Sequence, residues 1–193
     1  MLNKIKDIYS ESIQTQISAS QLLSAPLLQA SEKLVSCLLR GNKIIVCGQG
    51  RSYANAQFLV TNLLHRYDFD RPSFPSVLLS LDSAVGSAIV LDQQYQCLYQ
   101  RQFNAVAQQG DILVVFSPTK NETAVLELVK AAFAKEIEIV ALTGDYNEPL
   151  KGLLTEQDLL LSVPSNKESR ILESHLLIIN ALCELIDHSL FSQ

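Results

Sequence analysis

Gly48-Gln49-Gly50-Arg51-Ser52 follows a short β-branched run, KIIVC, and precedes a stretch of helix-forming residues. Two glycines let a chain turn sharply with its backbone N–H groups exposed. A helix starting near Ser52 adds its positive end, and Ser52 can cap it or donate its hydroxyl. A Gly-x-Gly alone is also compatible with an ordinary strand-to-helix turn, so its placement carries the weight. A second loop, Ser117-Pro118-Thr119-Lys120-Asn121-Glu122-Thr123, follows the strong apolar run DILVVF. Open α/β sheets bind ligands beyond the carboxyl ends of their strands. The two loops together therefore form a candidate phosphate cradle. Its residues are Gly48, Gln49, Gly50, Arg51, Ser52, Ser117, Thr119, Lys120, Asn121 and Glu122.

The segment behind the first loop is Ala56-Gln57-Phe58-Leu59-Val60-Thr61-Asn62, which offers apolar and amide side chains but no acid or base. Moving a proton between adjacent carbons needs a positioned base. His175 and Glu173 are near neighbours on a predicted helix and point in different directions, and His65 and His188 read as surface or helix-end residues. Cys37, Cys47, Cys97 and Cys183 are scattered, with no Cys-x-x-Cys pair. Reduced core cysteines are the expectation, without disulfide or metal.

Periodicity shows the elements that would position these loops. Residues 1–40 read as two helices. Ile5, Ile8, Ile13 and Ile17 mark one face of the first, and Pro26 fits the first turn of the second. Gly41 fits the end of that second helix. Short apolar strands are predicted at 43–47, 76–80, 111–116, 136–144 and 158–163. Helices are predicted at 52–67, 123–135 and 167–188. Alternating short apolar strands and helices argue for an α/β fold with a parallel sheet covered on both faces. The last helix is apolar nearly all round, so it must be covered nearly all round.

The 193 residues suffice for one well-buried domain. Hydrophobic residues make up 48% and charged residues 18%, which excludes a disordered chain. Mean hydropathy is +0.16, a sign of extra surface buried against other subunits. The formal net charge is -5 and no basic run occurs, so direct binding to nucleic acid is not expected. The N-terminus has no apolar core of signal-peptide length, and no unbroken apolar run approaches the ~20 residues of a membrane span. A cytoplasmic protein without a membrane segment is expected.

The loops, strand order and flanking helices resemble the sugar isomerase (SIS) family, and phosphoheptose isomerase in particular. In those enzymes the first loop reads like Gly-Asn-Gly-Gly-Ser, and the next helix carries Ala-Gln-His-x-x-x-Glu. Here the family's His falls on Phe58 and its Glu on Asn62. The family's Gln and His on the last helix fall on Leu172 and Asn180. The resemblance thus implies that four metal-binding and acid–base positions are replaced, leaving no catalytic residue and no metal or other cofactor. The family's phosphate loop, Ser-Thr-x-Gly-Asn-Ser, is Ser117 to Glu122 here, with Lys120 at the Gly and Glu122 at the last Ser. Glu122 brings a negative charge to that loop, which Arg51 or Lys120 could offset by pairing. The retained frame leaves Phe58 to serve packing.

A nearer resemblance is to the non-catalytic, DnaA initiator-associating branch of the family. It rests on Glu11 to Ile17 (ESIQTQI), Gly41 to Ile44, Ala54 to Gln57, Ile139 to Gly144, Leu185 to Asp187, and the terminal Leu190-Phe191. It implies a three-layer SIS sandwich over residues 1–193, with a five-stranded, mostly parallel sheet. Residues 1–40 would form a helical part used in oligomerisation, in a bundle between subunits. It further implies a non-catalytic homotetramer that binds the replication initiator DnaA, assembles it at the chromosomal origin, and meets DNA only through it. Leu190 and Phe191, beyond the last helix, would be the apolar anchor for that partner. The alternatives are a phosphoheptose (sedoheptulose 7-phosphate) isomerase and a scaffold that senses a phosphosugar.

Overall fold

The computed structural model describes residues 1–80, 84–120 and 122–191. Five strands form one parallel sheet: β1 (Ile44–Gly48), β2 (Ser76–Leu78), β3 (Ile112–Ser117), β4 (Glu138–Gly144) and β5 (Leu159–Val163). Their order across the sheet is β2-β1-β3-β4-β5. The chain runs outward from β1 to β2, then crosses back to build on the other side of β1. This reversal leaves a crevice at the carboxyl ends of β1 and β3, the usual ligand position in such a sheet.

Side chains alternate across the sheet with period two. On β3, Ile112, Val114 and Phe116 face one core, and Leu113 and Val115 face the other. The first core is covered by α1 (Leu2–Leu39), α2 (Ser52–Leu64) and α7 (Glu168–Phe191). The second lies under α3 (Ala84–Leu91), α4 (Leu98–Val106) and α5 (Thr123–Ala134). A short α6 (Glu148–Lys151) follows β4, and a 3-10 turn, Tyr95–Cys97, precedes α4. Both faces being covered explains why β1 and β3 are buried throughout.

Three sequence expectations change. The N-terminal part is one helix of 38 residues, not two, with Pro26 inside it. Proline removes one backbone donor, and polar contacts with α7 dock the first part of the long helix. Ser12 Oγ donates to Glu173 Oε2 at 2.7 Å, Arg170 Nη1 donates to the Ile8 carbonyl at 2.9 Å, and Lys167 Nζ meets Glu11 Oε2 at 2.5 Å. By length and composition alone α1 could cross a membrane; these polar contacts instead dock it on α7. The second helix stops at Leu64, because His65 leaves helical geometry (φ -95°, ψ -84°). The last helix continues through Phe191, so Leu190 and Phe191 form its final turn rather than lying beyond it.

The amino-terminal edge of the sheet is closed by two aspartates. Asp111 accepts from the backbone N–H of Lys43 at 3.0 Å and of Gln108 at 2.8 Å, and it pairs with Lys43 Nζ at 2.7 Å. Asp158 accepts from the N–H of Ile139 and of Thr155, each at 2.8 Å. These bonds satisfy donors that the strand ends would otherwise leave unpaired.

Candidate functional site

The first loop is built by its glycines. A Cβ on Gly48 would lie 2.5 Å from the Ser52 carbonyl oxygen, so only glycine fits there. Gly50 has φ +59°, a left-handed conformation that glycine adopts without strain. Backbone bonds from Ser52 N to Gln49 O and from Tyr53 N to Gly50 O, both 3.2 Å, close the turn. Tyr99 pins it from the far side, its hydroxyl donating to the Gly48 carbonyl at 2.8 Å. Ser52 is the first residue of α2 rather than its cap; it is fully buried, and its Oγ has no partner among the described residues.

The second loop follows β3, whose last residues pair with the end of β1: Gly48 stands opposite Phe116. Buried Asn147, at the start of α6, laces this loop. Its Nδ2 donates to Ser117 O and Ser117 Oγ at 2.9 Å and to Thr119 O at 3.0 Å. Glu122 is the cap residue of α5 and is only 8% exposed. Thr119 Oγ1 donates to Glu122 Oε1 at 3.3 Å, and Glu122 Oε2 has no aligned donor among the described residues. Burial pushes the Glu122 carboxyl up to about 7. The Ser117 and Thr119 hydroxyls partly offset this, and the charge of Glu168 adds to it. Tyr95 closes the cleft, its hydroxyl accepting from Gln49 Nε2 at 2.5 Å. Tyr95, Tyr99 and Cys47 all sense the Glu122 charge.

Structure thus brings the two predicted loops together, with the N-termini of α2 and α5 beside them. Arg51 pairs with Glu168 on α7 instead of with Glu122, and Lys120 is exposed. Asn121 lies outside the described residues. Tyr95, Tyr99 and Asn147 escaped sequence reasoning. Asn147 follows Thr143-Gly144 at the next strand's carboxyl end, which was an available signal; the tyrosines lay in a stretch with no motif.

The four replaced positions stand on α2 and α7, which pack together through a bond from Asn55 Nδ2 to the Leu172 carbonyl at 3.1 Å. Phe58 is 38% exposed, so it does not serve packing within the chain as expected. Asn62 is buried beside Cys183, whose thiol burial pushes up to about 12. Leu172 and Asn180 are half-buried. Phe58 and Leu172 offer no donor atom, so these four positions do not fit a metal ion. His175 is fully buried, with Nε2 3.3 Å from the Thr143 carbonyl and its ring edge-on to Phe116 at 5.7 Å. Burial pushes it down to about 4, so it is neutral at pH 7.

Leu190 and Phe191 lie at the other end of α7. Leu190 packs against the first core. Phe191 remains 41% exposed while meeting Phe69 edge-on at 5.6 Å and stacking on Phe74 at 6.1 Å. Their placement is intermediate between a free anchor and a folded-back terminus.

Full-length relatives accompany this geometry. A protein from Haemophilus influenzae, described only as uncharacterized, is 57% identical over 99% of this chain and 98% of its own. Phosphoheptose isomerase from Shewanella halifaxensis is 44% identical over 100% of this chain and 98% of its own. The solved structure of a phosphoheptose isomerase from Francisella tularensis superposes with a TM-score of 0.93 at 33% identity, covering 97% of this chain and 98% of that one. These findings correct the expectation of a chain without enzymatic activity, which rested on positions 58, 62, 172 and 180. Kinship over the whole length with proteins named as isomerases points to an enzyme, and four replacements do not outweigh it. The SIS domain profile matches residues 8–144, and together with the sheet order and the paired loops it establishes that this chain belongs to the SIS domain family.

Proposed function

We propose that this chain is a phosphosugar protein of the phosphoheptose isomerase type, taking a phosphorylated heptose in the cleft between the β1 and β3 loops. One observation carries the reading. α2 and α5 start just after the paired strands β1 and β3, and the fully buried Ser52 hydroxyl at the start of α2 has no partner among the described residues. Buried polar groups are nearly always satisfied, so an unsatisfied one at a helix N-terminus calls for a partner, which a bound ligand would supply. Helix N-termini favour that ligand being an anion. Aldose–ketose interconversion moves a proton from one carbon to its neighbour, and this site would run it without the replaced side chains at 58, 62, 172 and 180. Incubation with sedoheptulose 7-phosphate, followed by detection of the aldose product, tests the reading. Absence of both turnover and binding at millimolar substrate would overturn it.

The reading is cytoplasmic and homotetrameric. Support for the tetramer comes from the outer face of α1, where Ile5, Ile8, Ile13 and Ile17 are 41–53% exposed. Beside it runs an apolar groove of about 260 Å³ lined by Leu23, Leu27, Leu177 and Ile178. Such a face on a monomer is a subunit interface in waiting. Residues 1–40 would then form the bundle between subunits of one SIS domain spanning the chain.

A second reading is favoured by the exposed aromatic edge of Phe191 and Phe69 beside Leu190. In it the tetramer also binds the replication initiator DnaA there and promotes its assembly at the origin. Several sites on one tetramer would raise the effective concentration of bound partners. A DnaA pull-down with Leu190→Ala and Phe191→Ala tests it. Unchanged capture by both variants as intact tetramers would remove this surface from the reading.

A further inference from the structure

The cleft already contains an anion of its own. Glu122 holds the N-cap position of α5 without a side-chain cap bond, has its carboxyl at the Ser117 and Thr119 hydroxyls, and lies on the loop after β3, the strand paired with β1. Those hydroxyls and helix ends are the donors a phosphate would need. A carboxylate and a phosphate dianion cannot share them without strong repulsion in a buried setting. A protonated carboxyl can share them, because it is neutral and donates its own O–H.

We infer that Glu122 is the specificity-determining residue of the cleft, and that a sugar phosphate enters only together with a proton on the Glu122 carboxyl. This rests on the phosphosugar reading above and names how that site is regulated. The proton goes to Glu122 Oε2, the oxygen without an aligned donor, which then donates toward the incoming phosphate oxygen. No covalent bond changes.

The surroundings favour this role. Facing Glu122 are Cys47 from β1, Tyr95 from the 3-10 turn, Tyr99 from α4 and Glu168 from α7. The three neutral groups stay neutral near pH 7, since burial raises each of them. Arg51 is committed to Glu168, and Lys120 in the same loop is exposed. Among the described residues no cation is held against the carboxyl, and burial sets its proton affinity near neutrality. Apparent affinity falls with the fraction of protein in the competent state. A carboxyl titrating near 7 is about one-tenth protonated at pH 8 and about nine-tenths at pH 6.

The test is calorimetric titration of wild type and Glu122→Gln with sedoheptulose 7-phosphate and with inorganic phosphate, from pH 6 to 8. The ligand's own phosphate titration cancels in the ratio of the two proteins. Expected is a Glu122→Gln advantage of about tenfold at pH 8 that shrinks to less than twofold at pH 6. Wild type should also take up close to one more proton per site than the variant at pH 8, read from heats in two buffers. Glu122→Ser serves as a smaller replacement if the glutamine variant misfolds. Equal affinities at every pH would overturn the gate and leave the phosphosugar reading standing. Failure of wild type and both folded variants to bind either ligand at any pH would overturn both.

Discussion

Strand β3 carries a buried carboxyl just before it and another shortly after it, and the two behave in opposite ways. Asp111, 2% exposed, would be raised by burial alone. The Lys43 ammonium and the N–H groups of Lys43 and Gln108 outweigh this and hold it below the usual carboxylate range. Glu122, 8% exposed, meets the Ser117 and Thr119 hydroxyls, the Thr119 backbone N–H and the like charge of Glu168, and burial wins. Equal burial with unequal partners separates a structural carboxylate from a working one. Asp111 at the amino edge is fully partnered; at the carboxyl edge the Ser52 hydroxyl and Glu122 Oε2 have no partner among the described residues, as a ligand site requires.

Breaking the partnered end should cost most. Asp111→Ala strands Lys43 and two backbone donors, and a loss of about 2–4 kcal/mol is expected in denaturant unfolding. A loss below about 0.5 kcal/mol would refute the structural role. The other end should respond with the opposite sign. Glu122→Gln should stabilise the protein at pH 8 by about 1–3 kcal/mol and much less at pH 5. The sign follows from linkage. A carboxyl raised on folding binds its proton more tightly in the native state, so its contribution is present at low pH. It is lost as pH rises from the ordinary value of 4.5 through about 7. Melting curves at the two pH values check this.

Asp111 supplies the reverse profile. Its lowered carboxyl contributes stability above the ordinary value of 3.8 that is lost as pH falls through the lower folded value. Wild type should therefore lose more melting temperature than Asp111→Asn between pH 5 and 3, at roughly 2–4 °C per kcal/mol. Parallel curves would end the contrast. The smallest effect is expected for Arg51→Ala, because that guanidinium is 68% exposed in its pair with Glu168. A stability change within about 0.5 kcal/mol is expected. A larger change would mean that the cleft rim, like the amino edge, is structural.

Much of the scaffold was legible beforehand. Each predicted strand was found with its ends shifted by at most about two residues, because apolar runs such as IIVC and ILVVF suit only a sheet covered on both faces. Pro26 misled, since a proline signal is local and helix docking is not: Arg170, Lys167 and Glu173 tie the first part of α1 to α7 from 156 to 162 residues away in sequence. The loops Gly48 to Ser52 and Ser117 to Glu122 were visible as motifs. Tyr95, Tyr99 and Asn147 were not, because their roles exist only once the chain has folded back on the loops.

Residue type and short-range spacing in the sequence determined the α/β class and pointed to two candidate ligand loops, whereas the replacements at 58, 62, 172 and 180 followed from resemblance to the SIS family. The sequence also placed a carboxylate in the second candidate loop. Tertiary structure decided what that carboxylate does. Arg51 pairs with Glu168 on α7, and among the described residues Glu122 is buried without a cation. Proton affinity depends on which charges and dipoles surround a group in space, and only the packed fold supplies them.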